Sequence, residues 1–165
     1  MGATLVAPMA AVDIELALAQ PDDASELARL SRDLVEIGLD WTYRPDRIRA
    51  LIRNADIVTL TARDGHQVAG FAIMEFGVER AHLVLLAVRP SHQRDGIARR
   101  LIVWLVESAA VAGMASIHVE LRTSNTAAFA FYRAMGFAPT LRLEGYYQRR
   151  ESAVRMLRLL RSPNP

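Results

Sequence analysis

The sequence predicts a single α/β domain: a mixed, partly parallel central sheet flanked by helices. Three observations carry this. Short apolar or alternating runs recur along the chain and read as strands. Amphipathic stretches bracketed by Pro, Asp and Gly read as helices. After position 80 the two kinds interleave, which calls for parallel strands with helices laid over the sheet. The 165 residues suit one domain with a sizeable core. No repeat, low-complexity tract or linker interrupts them, so 1–165 is read as one unit with 1–11 as a flexible N-terminus.

Each element has its own reason. "DIELALA" (13–19) alternates and opens the sheet. "PDDASELARLSRDLVEIG" (21–38) has Pro and two Asp at its head and Gly38 at its tail, as a helix should. "PDRIRALIRNA" (45–55) is a second short helix with Pro45 at its start. "DIVTLTAR" and "QVAGFAIMEFG" flank Asp64-Gly65, a hairpin signal. "AHLVLLAV" (81–88) is apolar in both phases, as a buried central strand is. Residues 96–112 form a long helix, "ASIHVELR" (115–122) a strand, and "NTAAFAFYRAMG" (125–136) a helix stopped by Gly136. "FAPTLRLEG" and "SAVRMLRLL" are two closing strands joined by a loop, "YYQRRE". The predicted order is β-α-α-β-β-β-α-β-α-β-β.

Composition narrows the function. Hydrophobic residues make up 52% and charged residues 23%, ordinary values for a soluble globular chain. No apolar run approaches the ~18 residues of a membrane span. The start, "MGATLVAPMA", lacks a signal-peptide pattern, and Val6 breaks the myristoylation pattern. A cytoplasmic protein without membrane partners is expected. Cysteine is absent, which excludes disulfides and a thiol nucleophile. His66, His82, His92 and His118 show no paired ligand spacing, so no metal is expected. All 20 basic residues are Arg, read first as codon usage. The net charge is only +2 and the Arg residues are scattered, apart from "QRR" at 148–150. Nucleic acid, which wants a clustered basic stripe, is not an expected partner. A homodimer is left open.

The junction at 88–98 carries the first chemical signal. "AVRPSHQRDGIA" leaves a strand and drops through Gly96 into a helix. Free N–H groups at the helix start and its dipole make an anion site that suits a pyrophosphate. Neither G-x-x-x-x-G-K-[ST] nor G-x-G-x-x-G is present, which disfavours a nucleotide triphosphatase or a dinucleotide dehydrogenase. On its own, a glycine in such a place is more often only a turn.

Two motifs then agree. Gln93, Gly96 and Ala98, with Val88 and Pro90 before them, fill a [QR]-x-x-G-x-[GA] loop after a V-x-P turn. One helix and one strand later comes "NTAAFAFYRAMGF", with Asn125, Phe131, Tyr132, Gly136 and Phe137. Together they resemble the GNAT N-acetyltransferase superfamily, with matching element order over roughly residues 12–160. Within it the chain is most similar to the ribosomal-protein alanine N-acetyltransferase type, through "VELRTSN" and "GYY".

The resemblance implies an enzyme that transfers an acetyl group from acetyl-CoA to a primary amine. The amine is a peptide N-terminus or a small molecule, and a non-catalytic acyl-CoA sensor is the alternative from another class. It also implies the cofactor site. The backbone of Arg94, Asp95, Gly96, Ile97 and Ala98 would meet the phosphates, with Gln93 completing the loop and Arg94 and Arg99 adding charge. Leu86, Ala87 and Val88 would lie along the pantetheine, with the Val88 N–H at the thioester oxygen, and Asn125 and Ala128 opposite them. Asn125 and Tyr132 are seven residues apart, so both fall on one helix face. Tyr132 is the expected general acid for the departing thiolate; core packing beside Phe129 and Phe131 is the plainer use of such a residue.

In "IHVELR", His118, Glu120 and Arg122 share a strand face opposite Ile117, Val119 and Leu121. Glu120 is the expected general base, weighed against a salt bridge to Arg122. Glu75, on the "FAIMEFG" strand, is the other candidate, acting directly or through a water. Tyr146 and Tyr147 are expected to wall the acceptor slot, and Arg149 and Arg150 to hold acceptor carboxylates.

Overall fold

The computed structural model describes residues 13–161, so the expected flexible segment at 1–11 lies outside it. Seven strands form one sheet: β1 (Ile14–Leu18), β2 (Ile57–Asp64), β3 (Gln67–Phe76), β4 (Arg80–Val88), β5 (Ser116–Arg122), β6 (Ala138–Tyr147) and β7 (Glu151–Leu159). Their order across the sheet is β1-β2-β3-β4-β5-β7-β6. β4 and β5 run parallel and the other neighbours antiparallel. A parallel pair needs a crossover, and α3 (Ile97–Val111) supplies it. Its buried positions, Ile97, Leu101, Ile102, Leu105 and Ala109, recur at helical spacing and fall in one core with Ala81, Leu83, Ile117 and Val119. α4 (Thr126–Ala134) adds Tyr132 to the same core.

The opposite face is covered by α1 (Ala24–Leu30) and α2 (Pro45–Arg53). Leu27, Ala28 and Ile48 bury against Phe71, Ile73, Leu85 and Ala87 there. The expected helix over 21–38 is a composite. A 3₁₀ turn at Pro21–Asp23 leads in, and after Leu30 the chain widens into a π turn, Ser31–Val35. The closing strands also differ from expectation. Tyr146 and Tyr147 end β6 instead of standing in a loop, and the turn shrinks to Gln148–Arg150, where Gln148 and Arg149 adopt φ of 54° and 61°.

One irregularity in β4 positions everything that follows. Ile73 pairs with Leu85 and Met74 with Leu83, so Val84 is an extra residue, a β-bulge. The bulge turns the strand over. Ala81 and Leu83 face the α3 core, whereas Leu85 and Ala87 face α1 and α2. Pairing between β4 and β5 ends at Leu83–Val119, beside the bulge. Beyond it the two strands part.

Candidate active site

Where β4 and β5 separate, a cavity of about 740 Å³ opens between them. Its lining comes from both faces of the sheet: Leu34, Glu36 and Tyr43 from the α1–α2 side, Asn125, Ala128 and Tyr132 from α4. Leu86 and Glu120 line it from the diverging strands, and Tyr146, Tyr147 and Gln148 from the β6–β7 hairpin. The gap is thus lined from both sides of the sheet. Parted strand edges carry backbone N–H and C=O groups free to pair with an extended ligand.

The Glu120 side chain, at 4% exposure, has both carboxylate oxygens engaged. Its Oε2 lies 2.6 Å from His82 Nε2, and its Oε1 accepts from Arg155 Nε at 2.8 Å. His118 Nε2 stands 3.9 Å from Oε1, and the His82 and His118 rings stack 4.3 Å apart at 8°. Strand pairing causes this meeting: His82 is in register with His118, and Glu120 with Arg155. Burial alone would raise the Glu120 pKa, but the hydrogen bonds and charge of His82, then Arg155 and His118, outweigh it, and the carboxyl sits below its ordinary range. Burial, then the neighbouring His82, lowers the pKa of His118.

The expected alternative for Glu120, a salt bridge to Arg122, is not formed. Arg122 turns instead to Glu151 at 2.5 Å and to the Val35 carbonyl at 2.8 Å. Residues two apart on a strand share a face but stand ~7 Å apart, whereas the cross-strand Arg155 lies directly opposite Glu120. Glu75 sits in register with His82 at the exposed end of β3 and does not line the cavity.

Tyr132 is 6% exposed, edge-on to Phe131 at 5.2 Å and to Phe137 at 5.4 Å, and still reaches the cavity wall. Core packing and a site position are therefore the same position. Burial, then the nearby Tyr147 phenol, pushes its pKa well above the ordinary value, so the phenol keeps its proton at neutral pH. Asn125 caps α4, its Oδ1 accepting from the Ala128 N–H at 3.0 Å. That bond fixes the start of the helix that carries Tyr132.

The loop at 93–99 lies apart from the cavity lining, as do Ala87 and Val88. Gly96 is the N-cap of α3 at φ 74°, ψ 13°, a left-handed conformation that favours glycine, and Arg94 has φ 70°. Space is open around the Gly96 α-carbon. The first N–H groups of α3, at Ile97, Ala98 and Arg99, have no helical partner, and Arg94, Asp95, Gly96 and Arg99 are exposed. The Gln93 side chain donates to the Val88 carbonyl at 3.3 Å and ties the loop to β4. These features fit an anionic, extended ligand running from loop to gap.

On the hairpin, Tyr146 and Tyr147 both line the cavity, with rings at 5.0 Å and 89°. Arg149 and Arg150 do not line it. Arg150 donates to the Gly38 carbonyl and to Asp40, and Gln148 holds the Asp40 N–H and carbonyl at 2.8 and 3.1 Å. The turn clamps the α1–α2 loop. Glu36 organises that loop from within, accepting from the Ser31 and Thr42 hydroxyls and from the N–H groups of Thr42 and Tyr43.

Sequence spacing gave no sign of His82, Arg155, Glu36 or Gln148. The available signal for His82 was a polar residue in an otherwise apolar central strand. His82, His118 and Glu120 also place ligand atoms within 4.8 Å of one another, the set best suited to a metal among the described residues. Both Glu120 oxygens are already committed to His82 and Arg155, however. No helix among the described residues is long and apolar enough to cross a membrane.

Residues 24–137 match the model of the acetyltransferase (GNAT) family. The [ribosomal protein bS18]-alanine N-acetyltransferase of Escherichia coli K12 is 36% identical over 81 residues, 49% of this chain and 55% of that protein. The match thus spans about half the length of that relative. The crystal structure of the Escherichia coli ribosomal-protein-S18-alanine N-acetyltransferase superposes with a TM-score of 0.80 at 22% identity, covering 92% of this chain and 97% of the other. Arabidopsis thaliana NAA60 in complex with acetyl-CoA gives 0.79 at 18% identity, over 89% and 98%. With its bulged and parted central strands, its glycine-capped crossover helix and a family match over more than two thirds of its length, the chain belongs to the acetyltransferase (GNAT) family.

Proposed function

We propose that this protein transfers the acetyl group of acetyl-CoA to the α-amino group of a protein N-terminus, by direct attack in a ternary complex in the cytoplasm. One observation carries the reading. The cavity passes between β4 and β5, with Tyr132 on the α4 side and Glu120, Tyr146 and Tyr147 towards the hairpin. Two substrates entering from opposite faces would meet in the gap. Its α1–α2 side is walled by Leu34, Val35, Ile37, Leu39 and Tyr43, which suits the first side chain of a peptide better than a polyamine or a sugar. Relatives named for acetylating the alanine of ribosomal protein bS18 support a protein N-terminus as acceptor.

In this reading the loop around Gly96 holds the phosphates by its N–H groups, with Arg94 and Arg99 adding charge. Acetyl-CoA supplies the activated acetyl group as a thioester. Tyr132, kept protonated by burial, gives its proton to the departing sulfur. A phenol of raised pKa is a reluctant acid, so that transfer accompanies C–S cleavage instead of preceding it. The test is a panel of synthetic peptides with different first residues beside small amines, read by mass spectrometry of the product and release of free thiol. Acetylation of peptides at the α-amine is expected. Turnover confined to small amines would overturn the protein N-terminus, and no turnover with any amine would leave a sensor.

A further inference from the structure

We infer that His82, not Glu120, takes the proton from the acceptor ammonium, with Glu120 as the positioning residue behind it. The inference rests on the proposed acetyl transfer to an amine and deepens it.

Glu120 has little left to offer an acceptor amine. Both its oxygens are bonded, to His82 and Arg155, and the side chain is 4% exposed. A carboxylate held below its ordinary pKa by such partners is a weak base. The His82 side chain, by contrast, is 30% exposed and lines the cavity. Ionised Glu120 can only accept, so the hydrogen of their 2.6 Å bond belongs to Nε2 of the imidazole. The lone pair of neutral His82 is therefore on Nδ1. A carboxylate fixing the tautomer of an imidazole whose other nitrogen works is the arrangement that general-base histidines use.

The surroundings balance the charge that His82 would gain. Glu120 faces it from β5 and Glu75 is in register on β3, while Arg155 of β7 and Arg80 of β4 oppose them. Tyr43 and Tyr146 also line the cavity. His118 stacks on the ring, and burial together with His82 itself disfavours its charged form. His118 therefore does not compete for the proton that His82 accepts.

Atoms and electrons balance in this step. An N–H bond of the ammonium breaks, its proton goes to His82 Nδ1, and the electron pair stays on nitrogen. That pair forms the C–N bond to the thioester carbon as the carbonyl π pair moves to oxygen. The pair returns, the C–S bond breaks, and sulfur leaves with its electrons and takes the Tyr132 proton. The second proton of the new amide nitrogen restores the phenol through solvent, and His82 releases its proton to bulk water. One proton is freed per acetyl group moved.

The test joins kinetics to NMR. His82→Ala should lower kcat by about 10²-fold with the KM for acetyl-CoA little changed, and added imidazole should restore about tenfold of the loss. Glu120→Gln should also lower kcat, without rescue by imidazole. Long-range ¹H–¹⁵N spectra of the resting wild type at pH 8 should show hydrogen on Nε2 of His82 and a bare Nδ1. Turnover of His82→Ala within about threefold of wild type would overturn the inference, as would a hydrogen on Nδ1. Wild-type protein that acetylates no amine would overturn the acetyl-transfer reading instead; the spectra still decide His82, because the tautomer belongs to the resting protein.

Discussion

Residues 93–99 and the cluster around Glu120 are built from different materials. The loop offers backbone: an exposed turn through Gly96 at φ 74° and the free N–H groups that open α3. The cluster offers side chains: His82 from β4, His118 and Glu120 from β5, Arg155 from β7, packed within hydrogen-bonding distance or ring contact. A backbone site needs only the right turn and tolerates changes in the residues around it. A side-chain site needs four residues from three strands in one register, and each bond depends on the others. On the proposed assignment, binding and chemistry are separable in this molecule, and substitutions should damage one without the other.

The largest separation should come from Gly96→Glu. The change places a carboxylate among the N–H donors at a left-handed position. Loss of two charged hydrogen bonds at ~2 kcal/mol each lowers acetyl-CoA affinity by about 10³-fold. The wild type should gain ~2.7 kcal/mol of stability at 100 times its Kd. Calorimetry of the variant should show that gain abolished, with Glu120 and its partners untouched. A full ligand-induced shift would move the phosphate site elsewhere.

Tyr132→Phe should do the reverse. Packing against Phe131 and Phe137 survives while the proton is lost, so kcat falls by roughly 10²-fold at unchanged acetyl-CoA affinity. Steady-state kinetics and a binding isotherm on one preparation check both halves. Unchanged turnover would return Tyr132 to the core alone.

A smaller effect concerns pH. Glu120 has a folded-state pKa below its unfolded one, so its contribution to stability is present above the unfolded value and lost as pH falls through the folded value. At neutral pH Glu120→Gln should be destabilised by ~2 kcal/mol, since Arg155 and His82 lose their ionised partner. Urea midpoints of the two proteins should converge as pH drops below ~4. A gap that stays constant with pH would mean that the carboxylate charge contributes nothing.

The smallest effect belongs to Arg150→Ala. Its ion pair with Asp40 is exposed and worth under ~1 kcal/mol. A modest rise in acceptor KM is expected, through a looser α1–α2 loop, with no preference for acidic acceptors lost. Selective loss of acidic peptides would restore Arg150 to direct acceptor contact.

Local pattern alone determined the order of elements, the glycine-capped helix after β4, the shared helix face of Asn125 and Tyr132, and the face of β5 that carries Glu120. Each depends on residues close in the chain, where helical and strand periods act directly. Tertiary structure decided the rest. The bulge at Val84 shows only in the register of β4 against β3, because nothing in "HLVLLAV" marks which residue is extra. Register likewise gave Glu120 to Arg155 and His82, and sent Arg122 to Glu151. Arg150 was drawn from the acceptor to Asp40 because the tightened hairpin turn lies against the α1–α2 loop. An ion pair forms with whichever charge the fold brings near, and for residues 38 and 35 positions apart only strand pairing brings them together.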